Sequence, residues 1–457
     1  MLARAFRFVC LQLVHLFYPR IVVDGAERIP AGQPVLFVLN HPNGLLDPLV
    51  LMIGVRRQIF FLAKNTFWRN PIGRFCMEAF GALPVFRSRD EDRLDGAAGD
   101  RAAMNEQTFA RCRALLRHGR SLALFPEGTT HSGTSLLPLR AGAARIALGA
   151  EAENNWQLDL QIVPVGLWYA DKTLFRTSVL LAVGQPFSIT NFKESYSTDS
   201  EATIRNLTRR IEEQLHPIVL QAENADLLNG ITAVAAWTGP GEDGLTLEEH
   251  YEQATRLLRG YEQLHRSDPA RLEAITQHAR RYADALRTLG VRDPWRLELN
   301  DIYRTRLFGL FAWLLLGALP ALLGAALSYW PYRLARPVAL HFAGPYPELY
   351  GTVKLVTGAV LILLWFVALA VICGMVWGAG WGVALFLLMP AFGYIALRWA
   401  EQWRELRETL GYAWLHVRHA ALAQELATMR AALAAEISAA MQEVEAAAPA
   451  FTHGHIA

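Results

Sequence analysis

The chain has 457 residues, 53% of them hydrophobic and 19% charged, with a formal net charge of +2. That is enough apolar material for a large core and more than one domain, and a charge balance so near neutral gives no overall electrostatic signature and no support to a nucleic-acid role. Four cysteines (Cys10, Cys76, Cys112, Cys373) stand without the spacing of a metal site or a disulfide framework, which reads as a reduced compartment.

Residues 1–20 (MLARAFRFVCLQLVHLFYPR) form an apolar segment broken by Arg4, Arg7 and His15. The segment is short for a membrane span and lacks a small-residue cleavage site. It reads as an uncleaved amphipathic helix lying in a membrane interface; an ordinary helix packed on the next domain is the alternative. From Ile21 to residue 189, strands are predicted at 34–39, 58–63, 82–86, 121–125, 160–167 and 178–184. Helices are predicted at 48–57, 72–79, 101–118 and 140–151. The alternation predicts an α/β domain, a largely parallel sheet flanked by helices, with ligands bound where strands end in loops. Residues 85–100 (VFRSRDEDRLDGAAGD) are polar and suit a mobile loop over the site.

Beyond residue 199 the pattern turns helical: 199–224, 246–266 and 269–289, with Ser267-Asp268-Pro269 as a stop and cap. Leucines at helical spacing among charges are core packing there. Two apolar runs follow: Leu307 to Tyr332 is uncharged for 26 residues with Pro320 near its middle, and Leu355 to Leu397 for 43. A span takes about 20 apolar residues, so the region predicts an integral membrane protein. Gly378 to Gly382 breaks the longer run into a hairpin of 355–377 and a short arm, 383–397. Three full spans would set Arg398, Arg404 and Arg407 opposite the α/β domain. If 307–330 instead dips in and returns, Arg304, Arg306, Arg333, Arg336, Lys354 and Arg398 share one face, as the positive-inside tendency prefers. The resulting plan is an interface helix (1–20), the α/β domain (21–225), a helical extension (226–303), membrane-embedded helices (304–397) and a helical tail (398–457).

Chemistry concentrates first at Asn40-His41-Pro42-Asn43-Gly44-Leu45-Leu46-Asp47-Pro48, just after a buried strand. Both His41 and Asp47 precede a proline, which disfavours helix at each. Pro48 is suited to open a helix, with Asp47 as its cap. On one helix His41 and Asp47 would point about 120° apart; the Pro-Asn-Gly turn lifts that restriction and lets the carboxylate swing back to the imidazole. A neutral imidazole held by a carboxylate is a general base. A capping Asp beside a solvent-facing His is the plainer alternative from these nine residues alone.

A second block, Leu124-Phe125-Pro126-Glu127-Gly128-Thr129-Thr130, ends another strand and runs on through His131-Ser132 to Leu136-Leu137-Pro138-Leu139-Arg140-Ala141-Gly142. With Gly81-Ala82-Leu83-Pro84-Val85-Phe86-Arg87 and Ile162-Val163-Pro164-Val165-Gly166, four blocks stand in the order of the PlsC-type glycerolipid acyltransferases, and residues 21–190 resemble that family. Five residues separate His41 from Asp47, where the commonest form of the block has four, and Thr130 stands where Arg is common. Both departures look most like the branch that acylates glycerol-3-phosphate or dihydroxyacetone phosphate.

The resemblance implies an O-acyltransferase of phospholipid biosynthesis, with acyl-CoA or acyl-ACP as cosubstrate and no cofactor or metal. A lysophospholipid such as lysophosphatidic acid is the alternative acceptor. His41 is implied as the base that activates the acceptor hydroxyl and Asp47 as its orienting carboxylate. No Gly-x-Ser-x-Gly elbow is present, so direct transfer is expected. Arg87 is implied as the phosphate ligand, with Lys64, Arg89 and Arg140 as nearby cations. Glu127 is expected to bind acceptor hydroxyls or hold Arg87. The amides of Gly128 and Thr129, placed ahead of a helix, are expected to receive the oxyanion, and Thr129, His131 and Ser132 to reach acceptor oxygens. Expected partners are membrane lipids, the acyl thioester and the phosphorylated acceptor, at the inner or cytoplasmic membrane with the catalytic domain in the cytoplasm.

Overall fold

The computed structural model describes residues 1–86, 98–239, 245–290, 302–344 and 346–447. Met1–Asn224 and Ala339–Val356 form one unit; Ala225–Val338 and Thr357–Ala457 form a second. Residues 339–356, expected with the membrane helices, thus belong to the first unit.

The first unit runs α1 (Leu2–Phe17), β1 (Arg20–Asp24), β2 (Val35–Leu39), α2 (Leu46–Val55), β3 (Ile59–Lys64), α3 (Pro71–Ala79), β4 (Ala82–Val85), α4 (Ala98–Arg117), β5 (Ser121–Leu124), α5 (Gly142–Glu153), β6 (Gln161–Tyr169), β7 (Ser178–Val183), β8 (Phe187–Ser188), α6 (Lys193–Thr198) and α7 (Ser200–Leu215). One sheet has the order β1-β7-β6-β2-β5-β3-β4, with β8 beside β6. The pairings β1–β7, β2–β5, β2–β6, β3–β4 and β3–β5 are parallel. Only β6–β7 and β6–β8 are antiparallel among the described strands. The six predicted strands are all present. β1 and β8 had no sequence signal of their own, the first because it follows directly on an apolar helix.

β2 reads as an unbroken apolar run because it is buried on both faces. Its Val35, Phe37 and Leu39 join one core with residues of α1, α2 and α3. Leu36 and Val38 join a second core with residues of α4, α5 and α7. Burial on both sides makes β2 the rigid centre of the sheet. Its right and left neighbours, β5 and β6, run parallel to it, so all three C-terminal ends emerge at one edge.

The second unit holds α8 (Ala225–Thr238), α9 (Leu247–Ser267), α10 (Pro269–Leu289), most of α11 (Ile302–Ala343), the later part of α12 (Pro347–Trp377), α13 (Ala379–Arg418) and α14 (Ala420–Ala447). A capping box starts α9, with Thr246 and Glu249 bonding each other's backbone. α14 packs on α8, α9 and α10, helped by Arg256–Glu445 at 2.7 Å and His278–Glu436 at 2.7 Å. α11 continues through Pro320, Pro331 and Pro337, so of the two arrangements considered for this run, the one that returns at Pro320 is not seen. The break falls where the glycines predicted it, at Gly378 (φ +101°). The second arm, however, is one helix of 40 residues rather than a short one. Three helices among the described residues are long and apolar enough to cross a membrane: Gly309–Ala343, Glu348–Trp377 and Ala379–Glu408.

Candidate active site

The sheet edge that gathers β2, β5 and β6 carries the candidate groups. Asn40 and His41 follow β2, Phe125 and Glu127 follow β5, and Tyr169 ends β6. Asn40 ties two of these ends together: its amide donates to Leu167 O at 3.1 Å and its oxygen accepts from Leu167 N at 2.7 Å.

His41 Nδ1 lies 2.8 Å from Asp47 Oδ2. The His41 side chain is 13% exposed and that of Asp47 fully buried. The imidazole stacks on the Phe125 ring, with centroids 4.0 Å apart. A buried carboxylate must have its lone pairs filled, and Asp47 accepts two further bonds, from Asn43 N at 2.8 Å and the Tyr169 hydroxyl at 2.6 Å. Nδ1–H therefore points at Asp47, and Nε2 has no hydrogen-bond partner among the described residues. Gly44, at φ +56°, makes the turn that returns Asp47 to His41. The expected cap is corrected: α2 begins at Leu46 after Leu45, and the carboxylate bonds His41 and Asn43 instead of capping the helix.

Around this pair lies a buried polar layer that the sequence did not single out. Asn43 donates through Nδ2 to the Tyr18 hydroxyl at 2.7 Å, and Tyr18 donates to Lys172 O at 3.4 Å. Burial, reinforced by the charge on Asp47, pushes the Tyr169 hydroxyl well above its ordinary pKa, so it stays a donor. Burial raises Tyr18 in the same way. It lowers Lys172, against the opposing pull of Asp47, Glu348 and Asp171. Tyr18, Tyr169 and Lys172 come from distant segments, and only pairing of the strands brings them to Asp47.

Glu127 is the second hub. Its side chain is fully buried. Oε1 accepts from His41 N at 3.0 Å and Oε2 from Leu137 N at 2.9 Å, and Oε2 also meets His131 Nε2. Gly133 N donates to His131 Nδ1 at 3.1 Å, which leaves Nε2 as the protonated nitrogen facing the carboxylate. His131 N in turn donates to His41 O at 3.3 Å. Glu127 was expected to bind acceptor hydroxyls or to hold Arg87, which lies outside the described residues; in the structure its carboxylate bonds the His41 backbone and the 131–137 loop.

The other expected residues fall out differently. Arg87 and Arg89, with most of the 85–100 loop, lie outside the described residues. Lys64 ends β3, paired in register with Val85, and so stands beside the strand that leads to Arg87. Arg140 reaches the Phe-Pro-Glu-Gly turn. Its N–H donates to Pro126 O at 2.7 Å, and a Cβ on Gly128 would lie 2.6 Å from its Cδ. Gly128, at φ +70°, is the residue that permits this turn. Its amide donates to Phe125 O at 2.9 Å, so it is not available for an oxyanion. The helix expected at 140–151 is α5, which begins at Gly142. The Thr129 amide has no acceptor among the described residues. Ser132 Oγ lies 3.5 Å from Glu348 Oε2, at the start of α12. Among the described residues no group of three or more His, Cys, Asp or Glu side chains is arranged to hold a metal.

The sheet edge thus sets an imidazole, fixed by a buried carboxylate, at the end of the central strand. Residues 20–168 match the family model described as Acyltransferase, and the chain carries an acyltransferase domain of the PlsC type. An uncharacterised acyltransferase of Schizosaccharomyces pombe is 25% identical over 62% of this chain and 53% of its own length. Glycerol-3-phosphate O-acyltransferase 2 of Saccharomyces cerevisiae is 29% identical over 43% of this chain and 26% of its own. The human 1-acyl-sn-glycerol-3-phosphate acyltransferase alpha is 30% identical over 32% of this chain and 47% of its own. The chain thus spans about half, or less, of the length of these curated relatives.

Proposed function

We propose that the protein is a membrane-bound O-acyltransferase that moves a fatty acyl group from a thioester, acyl-CoA or acyl-ACP, to a hydroxyl of glycerol-3-phosphate or dihydroxyacetone phosphate in phospholipid biosynthesis. The observation that carries the reading is His41 held by buried Asp47 at 2.8 Å with Nε2 left for substrate. In this reading Nε2 removes the acceptor proton as that oxygen attacks the thioester carbonyl. Collapse of the tetrahedral intermediate breaks the C–S bond, and the imidazolium returns its proton to the leaving thiolate. Asp47 favours the imidazolium while it exists. The Thr129 amide is the donor this turn leaves for the oxyanion. Arg87, with Arg140 and Lys64, is assigned to the acceptor phosphate, since guanidinium groups pair with such anions in two-pronged fashion. The catalytic unit is assigned to the cytoplasmic face of the inner or cytoplasmic membrane, on the clustering of Arg and Lys beside the apolar runs.

A lysophosphatidic-acid acceptor is the second reading, supported by the name of the human relative. Detergent-purified full-length protein, given labelled acyl-CoA with glycerol-3-phosphate, dihydroxyacetone phosphate and lysophosphatidic acid in parallel, separates the two. Transfer to either small acceptor, lost in His41→Ala, is expected. Transfer to lysophosphatidic acid alone would overturn the acceptor assignment, and no transfer to any of them would overturn the acyltransferase reading.

A further inference from the structure

Glycine weakens a helix relative to alanine, so a buried glycine in a helix points to a close approach. Gly351, in α12, is such a residue. A Cβ there would meet Asn43 Oδ1 at 2.7 Å, Lys172 O at 3.1 Å and Leu46 Cδ1 at 3.2 Å. Asn43 is the buried residue whose N–H bonds Asp47 and whose amide bonds Tyr18. The bare Gly351 backbone therefore rests on the loop that joins His41 to Asp47.

The surrounding residues of α12 add to that seat. A Cβ on Gly44 would lie 3.5 Å from Leu349 Cδ2, 3.5 Å from Thr352 Oγ1 and 3.6 Å from Glu348 O. Lys354 Nζ donates to Thr173 O at 3.0 Å, beside Lys172. Leu355 packs on the core beneath α2. These residues of α12 lie far beyond the part of the chain that matches the family model, 20–168.

We propose that residues 348–355 are a positioning element of the catalytic site, with Gly351 as its contact point. By bearing on Asn43 they keep its N–H on Asp47 and so hold the His41 ring in register with substrate. The inference rests on the acyltransferase reading. Displacement of about 1 Å at such a site costs on the order of a hundredfold in rate, and a methyl on Gly351, at 2.7 Å from Asn43 Oδ1, would push on that residue.

In full-length protein, Gly351→Ala is expected to lower kcat by about tenfold or more, with KM for acyl-CoA and for acceptor each kept within about threefold. Gly358→Ala adds the same methyl further along the helix, where the nearest atom is Ala335 Cβ at 4.0 Å, and is expected to keep wild-type kcat. Asn43→Ser removes the atom that the methyl strikes while keeping the N–H. In that background Gly351→Ala is expected to cost no more than about twofold, a coupling that general loss of stability would not produce. Wild-type kcat in Gly351→Ala, or an equal loss in both backgrounds, overturns the inference. So does failure of Gly351→Ala to fold if Asn43→Ser does not restore it. Wild-type protein without transfer activity would instead overturn the acyltransferase reading.

Discussion

A carboxylate removed from water must be fully paired, and Asp47 meets that demand with three donors: the His41 ring, Asn43 N and the Tyr169 hydroxyl. General acid–base groups contribute about 10²–10⁴-fold in rate, so His41→Ala should lower kcat by at least that order while the protein remains folded and extractable. Steady-state kinetics on purified protein checks this. Tyr169→Phe leaves one buried oxygen of Asp47 short of a donor, at a cost of about 1–3 kcal/mol. A lower melting temperature is expected, with a smaller loss of kcat than in His41→Ala. Glu127→Gln replaces an oxygen by an NH2 that must face one of three N–H donors. It should destabilise by a similar amount, about 1–3 kcal/mol, and reduce kcat through the displaced His41 backbone. Acceptor KM should change little, because the carboxylate is fully buried and its oxygens are bonded to the protein; a large rise in acceptor KM alone would show Glu127 at the substrate. His41, Asp47 and Glu127 were legible because strand-end motifs carry them. Tyr18, Tyr169 and Lys172 were not, since nothing local marks a core tyrosine as a donor to a residue more than a hundred positions away.

At the scale of elements, the site stands on β2. Phe37 is fully exposed to neither face and wholly buried at the sheet centre, so Phe37→Ala should cost about 3–5 kcal/mol and is best read as loss of folded, extractable protein. Helix ends are less costly. Thr246→Ala removes the α9 capping box and should cost about 1 kcal/mol, measurable as a small fall in melting temperature with activity intact. Period and punctuation explain why these elements could be read in advance. β2, β5 and β6 are apolar runs ended by turn residues, and α10 begins at Asp268-Pro269 as a cap and first-turn proline. The length of α11 was not legible, because a helix can continue past a proline where a proline rule expects a break, as this one does at Pro320.

For the whole molecule, the packing within each unit constrains the path through a membrane. α14 packs on α8, α9 and α10, so the chain from Leu289 to Ala420 must leave and re-enter one face, which takes an even number of crossings. The expected arrangement is an α12–α13 hairpin that crosses twice. In an otherwise cysteine-free protein, membrane-impermeant labelling should reach Ser267→Cys and Gln424→Cys from one face and Gly380→Cys from the other. Labelling of Gly380→Cys from the same face as the other two would rule the hairpin out, and extraction by carbonate would rule out membrane integration altogether.

The sequence alone determined that an α/β sheet precedes an apolar, membrane-seeking region, and that His41, Asp47 and Glu127 stand at strand ends. Those are matters of local period, proline and turn chemistry, which adjacent residues encode. Tertiary structure alone decided which groups fill the buried lone pairs of Asp47 and Glu127. It decided too that the Gly128 amide is closed off by Phe125 and that α12 bears on the Asn43 loop. Each of these depends on close packing between segments far apart in the chain, where a few tenths of an ångström separate a hydrogen bond from a clash, and no local pattern records such distances.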